Sequence, residues 1–377
     1  MSPIDQALHE IVESVMTCAD VVTLLGKHNC ADLSSSLDAA VFTDYPIAAG
    51  GLGDVFQGQL TDGTRVAIKT IRAYGSSDNF VGTYQKRAAK EIYTWSKCNH
   101  PNVVSLLGLA VFRNSLAMIS RWEENGNLSH YISRHPDTDR CYLSNSICAG
   151  LAYLHRNNIV SSTFQAALSK YDETLDDDRF MANVLIAQDG TPMLMGFGNA
   201  SLVGATLQFT ATTSGPNYSL RWTAPEILRG KSAHTTAGDV YSLGMVRFSL
   251  TLPQTDNQPS TSDHPGTDTY IRTDFPTFNT TYNCIIQETF TSEIPFPKKN
   301  DQSLLMHVVV NKKTPPRPKQ FIPERSTCGN ILWAILTSCW SYDPELRPDA
   351  ETVKQLTPEK LKEIEEKEPE ADESDEN

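Results

Sequence analysis

Between Ile47 and Lys69 apolar residues fall at strand spacing in short runs broken by two turn signals. The first turn holds Gly50, Gly51 and Gly53. The second, Thr61-Asp62-Gly63-Thr64, carries the Asp-Gly pair that favours a tight hairpin. The stretch predicts two antiparallel strands and the start of a third, Val66-Ala67-Ile68-Lys69. The period then becomes helical over Tyr84–Lys97, which contains Glu91. An H-P-N-V-V turn (His100 to Val104) leads to a strand from Leu106, and Leu116–Ser120 reads as another. A helix with an apolar face is predicted over Tyr142–Asn157, strands at Val184–Ile186 and Thr191–Met195, and a helix opened by Gly238–Gly244. Upstream, Leu8, Ile11, Val12, Val15, Met16 and Val22 can share one side of a helix over Ile4–Leu25. Such a helix would pack on its own domain or on a partner. The polar, Ser-rich residues 29–43 read as a linker. The Thr-, Pro-, Asp- and Asn-rich stretch 246–284 cannot build a core and is expected to be a loop.

Charge changes this picture only locally. The net charge is −13, and residues 359–377 alone hold ten acidic and three basic residues, so they read as a solvated acidic tail. The acidic balance argues against nucleic acid as a partner. The eight cysteines form no C-x-x-C pair and no zinc spacing. The first residues lack a basic-then-apolar leader pattern, and no apolar run approaches the ~20 residues of a membrane helix. A cytosolic or nuclear protein with reduced thiols and no membrane association is the expectation.

The candidate chemistry is that of a nucleotide. Glycines without Cβ atoms let backbone lie close over phosphates, and Lys69 on the adjacent strand can neutralise them. A carboxylate on the next helix, Glu91, can hold the Lys69 ammonium in place. After the Leu116–Ser120 strand, Arg121-Trp122-Glu123-Glu124-Asn125-Gly126 is a short link whose backbone N–H and C=O groups can read an adenine edge.

From about Asp44 to Leu356 the chain resembles a protein kinase, with V-A-I-K ending at Lys69, H-P-N-V-V at His100, and R-W-T-A-P-E at Arg221–Glu226. The last two forms are similar to those of the tyrosine-kinase-like group. The resemblance implies an α+β, two-lobed fold: a small antiparallel β lobe with one helix, and a larger, mainly helical lobe. It divides the chain into a helical extension and linker (1–43), a small lobe (44–125), a large lobe (126–357) and the tail (358–377). It implies ATP binding by Ile47, Gly50, Gly51, Gly53, Val55, Ala67, Lys69, Ser120, Trp122 and Leu185, with Asn183 as a metal ligand. It also implies that Asp239 braces the catalytic loop, that Arg347 pairs with Glu226, and that partners or substrates are proteins.

Three departures bear on activity. The first glycine of the G-x-G-x-x-G pattern is Ala48. An insertion near 161–177 replaces the usual catalytic loop. Asp178 stands five places before Asn183, where the proton-accepting Asp is expected, but no His precedes it and Phe180 takes the place of a basic residue. Finally Gly196-Phe197-Gly198 stands where active kinases place Asp-Phe-Gly, so magnesium loses a carboxylate. One aimed donor at an active site is worth roughly 10²–10³ in rate, about 3–4 kcal/mol. Loss of a charged metal ligand should cost at least as much. These features imply a pseudokinase that keeps a weakened ATP cleft and acts through protein partners. The alternative is an active kinase. Val160-Ser161 and Val246-Arg247 are what GTAAGT and GTACGT encode, so retained introns would account for both insertions, though not for Gly196.

Overall fold

The computed structural model describes residues 10–12, 16–50, 53–71, 78–161, 183–203, 205, 207–209, 220–251, 296, 299–319 and 322–355. The N-terminal extension differs from expectation. Glu10–Val12 is a strand (β1), and the helix starts only at Cys18 and ends at Lys27 (α1). Thr17 stops the helix from reaching further back. Its hydroxyl accepts from the Asp20 amide while the Asp20 carboxylate accepts from the Thr17 amide, a reciprocal cap. Val21, Leu24 and Leu25, at i, i+3 and i+4, form the buried face of α1. Their burial contributes roughly 1.5–3 kcal/mol each before the entropy of ordering is counted.

Residues 29–43 are not a linker. Asn29 turns the chain at φ 67°, and the Leu33 amide and Ala31 carbonyl both bond to Leu109, each at 2.8 Å. Leu37–Phe42 then forms strand β2. Serine suits this path because the Ser34 hydroxyl accepts from the Val111 amide at 2.9 Å, satisfying a donor on a sheet edge.

The small-lobe sheet continues with β3 (Ala48–Gly50), β4 (Gly53–Leu60) and β5 (Arg65–Ile71). Helix α2 (Asp78–Ser96) follows, then β6 (Leu106–Phe112) and β7 (Ser115–Arg121). The order is β2-β4-β5-β7-β6, antiparallel throughout, with β3 also on β4. Gly63, at φ 89°, closes the expected hairpin between β4 and β5. Strand alternation divides the sheet. Phe56, Val66, Ile68, Ala117 and Ile119 pack into a separate cluster with Phe112. Val55, Ala67, Lys69, Met118 and Ser120, at the alternate positions, are left for the other face.

The second half is mainly helical. It contains α3 (Leu128–Arg134), α4 (Arg140–Arg156), α5 (Pro225–Leu228), α6 (Thr236–Thr251), α7 (Asp301–Leu305), α8 (Thr327–Cys339) and α9 (Ala350–Lys354). Short strands β8 (Ile159–Val160), β9 (Val184–Ile186), β10 (Pro192–Leu194), β11 (Ser201–Leu202) and β12 (Leu207–Phe209) lie between α4 and α5. One core runs from α2 through α4 and α6 to α8. The architecture is the two-lobed α+β arrangement expected. Helix α6 runs past Val246 to Thr251, into the expected insertion. The rest of that insertion, residues 162–182 and the acidic tail lie outside the described residues. Among those described, no helix is long and apolar enough to cross a membrane.

Two buried polar groups fix the large lobe. Asp239 is fully buried, accepts from the Ser161 amide at 2.8 Å and sits 3.1 Å from His155 Nε2. Arg347 donates to both Glu226 oxygens at 2.7 and 2.8 Å, and to the carbonyls of Ser341 and Ala237.

Candidate functional site

Lys69 lies in β5 between Val55 of β4 and Met118 of β7. Its Nζ donates to Glu91 Oε1 at 2.6 Å. The neighbouring residue on α2, Lys90, is held below the ordinary lysine range by burial and by the nearby Arg87 charge, and takes no part in this pair. Glu91 is buried among Ala88, Ala89, Ile92 and Trp95. Its second oxygen, Oε2, has no hydrogen-bond partner among the described residues. A buried carboxylate oxygen without a partner is costly, so its retention marks a place for a further donor.

Above Lys69, Gly50 pairs with Gly53 where β3 turns into β4. Gly51, the glycine between them, lies outside the described residues. A Cβ on Gly53 would come within 2.1 Å of the Thr70 carbonyl oxygen, so that position admits no side chain. Ile47 precedes the turn and is half exposed, its amide bonded to the Val55 carbonyl at 2.9 Å.

Ala67 and Ser120 face each other across β5 and β7, and Ser120 is buried. Trp122 follows at the start of the link, its amide bonded to the Arg65 carbonyl at 3.0 Å. Arg65 also forms an ion pair with Glu124, fastening the link to β5. Burial raises the Glu123 carboxyl above the usual range, against the opposing pull of Arg121. On the other side, Leu185 of β9 pairs with Met193 and bridges to Asn127. The structure therefore brings together Ala67, Lys69, Glu91 and Ser120 on one side of the cleft, with Leu185 on the large-lobe strand beyond the link.

The opposite, metal-side corner is poorer. Asn183 precedes β9, and its carbonyl accepts from Met195 at 2.9 Å. Gly196 is left-handed, at φ 90° and ψ 62°. A Cβ there would lie 3.1 Å from Asn183 Oδ1, tight but short of a clash with backbone. Asn183 thus offers one amide oxygen, and Gly196 offers no side-chain donor. Asp178, the candidate base, lies outside the described residues. Among those described, no group of three His, Cys, Asp or Glu side chains could hold a metal ion. Magnesium, which favours carboxylates and phosphate oxygens, does not fit the donors present here without a further ligand. Among the described residues of this group, the Lys69 ammonium, held by Glu91, is the cation that suits a phosphate, and the link after Ser120 carries backbone groups that suit a base edge.

Two residues of this corner escaped the sequence reading. Trp95 stands one helical turn after Glu91 and stacks on Phe197 with ring centroids 5.7 Å apart. Its indole N–H donates to the Val104 carbonyl at 2.5 Å. The signal was the i, i+4 spacing from Glu91, which puts both on one side of the helix. Asn102 was read only as part of a turn. Its amide side chain donates to the Pro192 carbonyl at 3.0 Å, tying that turn to β10, the strand that leads to Gly196.

Residues 42–167 match a family model described as protein tyrosine and serine/threonine kinase. Among curated proteins, the chain is similar to serine/threonine-protein kinase STY46 of Arabidopsis thaliana, 26% identical over 210 residues, 55% of this chain and 32% of the relative. It is similar to calmodulin-binding receptor-like cytoplasmic kinase 1 of the same organism, 29% identical over 209 residues, 54% of this chain and 40% of the relative. A probable serine/threonine-protein kinase of Dictyostelium discoideum is 27% identical over 319 residues, 79% of this chain and 57% of the relative. The chain therefore spans 32% to 57% of the length of these relatives.

Proposed function

We propose that this chain, a member of the protein kinase family, binds ATP through the small-lobe side of its cleft and acts as a pseudokinase regulator or scaffold of protein partners. The observation that carries the reading is an asymmetry. The Lys69–Glu91 pair is closed at 2.6 Å, while Gly196 supplies no carboxylate on the metal side. Lys69, held by Glu91, meets the phosphates. Backbone N–H and C=O groups of the link read the adenine edge, apart from the Trp122 amide, which the Arg65 carbonyl already takes, and Ala67 and Leu185 line the slot for the ring. A magnesium ion held at Asn183 would offset the charge of the nucleotide's phosphates. Asn183 alone replaces little of that, so nucleotide binding is expected to be weak and nearly indifferent to the metal. A cytosolic or nuclear site of action, proteins rather than nucleic acid as partners, and no membrane association belong to the same proposal.

The test is nucleotide titration with and without magnesium, alongside a phosphotransfer assay. Wild type should bind ATP with the same affinity in both conditions. Gly196→Asp should bind more tightly only when magnesium is present. Magnesium-dependent protein labelling by wild type, lost in Lys69→Met and in Asp178→Asn, would replace this reading with that of an active kinase.

A further inference from the structure

Residues 10–12 and 16–33 pack against helix α2, the edge of β6 and segment 207–209. Helix α1 runs beside α2 in the same direction and is fastened to it at both ends. At its first turn, Gln85 Nε2 donates to Cys18 Sγ at 3.1 Å. Just past its last turn, Lys97 Nζ donates to the His28 carbonyl at 3.1 Å, and the His28 ring meets the edge of Tyr93 at 5.4 Å. Between these ends Val21, Leu24 and Leu25 are buried in the core that α2 shares. Beyond α1 the chain joins the edge of β6 through Ala31 and Leu33. There β6 has Gly108, where a Cβ would lie 2.4 Å from the Ala31 carbonyl oxygen. The sheet edge is thus shaped to let this segment cross it.

Ahead of α1, β1 pairs in parallel with β12, Glu10 opposite Leu207 and Val12 opposite Phe209. Strand β12 lies between Gly196 and the Arg221–Glu226 motif, in the segment that leaves the metal side of the cleft. Leu207 is fully buried, and the Phe209 ring lies 6.2 Å from Tyr93. Tyr93 is therefore a meeting point for His28, Lys97 and Phe209, two residues after Glu91 on the same helix.

We infer that residues 10–12 and 16–33 form an intramolecular strap that ties the back of α2 to segment 207–209 and so holds Glu91 on Lys69. Displacing the strap frees α2 and 207–209 together, whatever the nucleotide state. A partner that pulled on the N-terminal extension would open the Lys69–Glu91 pair from behind.

Hydrogen exchange on the full chain tests this without any ligand, so its outcome is separate from that for nucleotide binding. Two variants attack different parts of the strap. Leu24→Asp disrupts the α1 contact, and Ile11→Pro removes an amide from β1 alone. Each should speed exchange about tenfold in residues 86–96 and 207–209, leaving α4 and α8 unchanged. If Leu24→Asp fails to fold, Ile11→Pro decides. Unchanged exchange in 86–96 overturns the strap. So does acceleration confined to 207–209, because strand and helix would then be uncoupled. Acceleration spread equally over α4 and α8 also overturns it, since the segment would be only another part of the core.

Discussion

Arg347–Glu226 in the large lobe and Lys69–Glu91 in the small lobe are both ion pairs in low-exposure surroundings, with N–O separations of 2.7 and 2.6 Å. The first is complete. Both Glu226 oxygens are used, the Arg347 side chain is fully buried, and the carbonyls of Ser341 and Ala237 take two more of its N–H groups, so four of its five are engaged. The second is half finished. Glu91 Oε2 has no partner among the described residues, and the Lys69 side chain keeps 18% of its exposure. Removing one partner from a buried pair is costly because the other charge is stranded. A pair satisfied on every side spends its chemistry on holding the fold. A pair with spare hydrogen-bonding capacity can be completed by something that arrives from solution.

The largest effect should come from breaking the complete pair. Arg347→Ala is expected to lower stability by about 3–5 kcal/mol, read from a denaturant melt. A loss below about 1 kcal/mol would dissolve the contrast. Lys69→Met should cost less stability, because methionine fills the space of the lysine stem and the Lys69 side chain is 18% exposed, so the pair is less fully withdrawn from water than Arg347–Glu226. It should instead weaken ATP binding about 10–100-fold, the worth of a charge-assisted hydrogen bond, as measured by calorimetric titration. Equal destabilisation by both variants would mean that Lys69 is merely structural. Glu91→Gln sharpens the point further. It keeps the shape but leaves the Lys69 ammonium without its carboxylate; because that side chain is 18% exposed, the stability loss should stay below that of Arg347→Ala while ATP affinity falls a few-fold.

The small-lobe half of this comparison was legible in the sequence because its signals are local. Glycines, the Asp62-Gly63 turn and the Lys69 strand are adjacent, and Glu91 follows on the next helix. The ion pair of Glu226 with Arg347 was reached only through resemblance, since 121 residues separate its members. The N-terminal extension was misread for the same reason. Ile11 and Val12 fit a helical stripe as well as a strand, and what decides between them is pairing with residues near 208, distant in sequence. The serines of 29–43 read as a linker by composition. Ser34 instead satisfies the Val111 amide on a strand edge, and the half-exposed β2 lacks the clean alternation that marks a strand. Asp178, which rests on its spacing from Asn183, and Gly51, which rests on the glycine-rich turn, lie outside the described residues.

The backbone at Gly196 carries a consequence for the history of the cleft. Its left-handed conformation strains any side chain, aspartate less than most, and a Cβ there would lie 3.1 Å from Asn183 Oδ1, which would have to give by a few tenths of an ångström. Glycine codons ending in a pyrimidine become aspartate codons by a single base change. A carboxylate at position 196 is therefore one base change away in the gene but a strained step in the backbone, and Asn183 would have to shift to admit it.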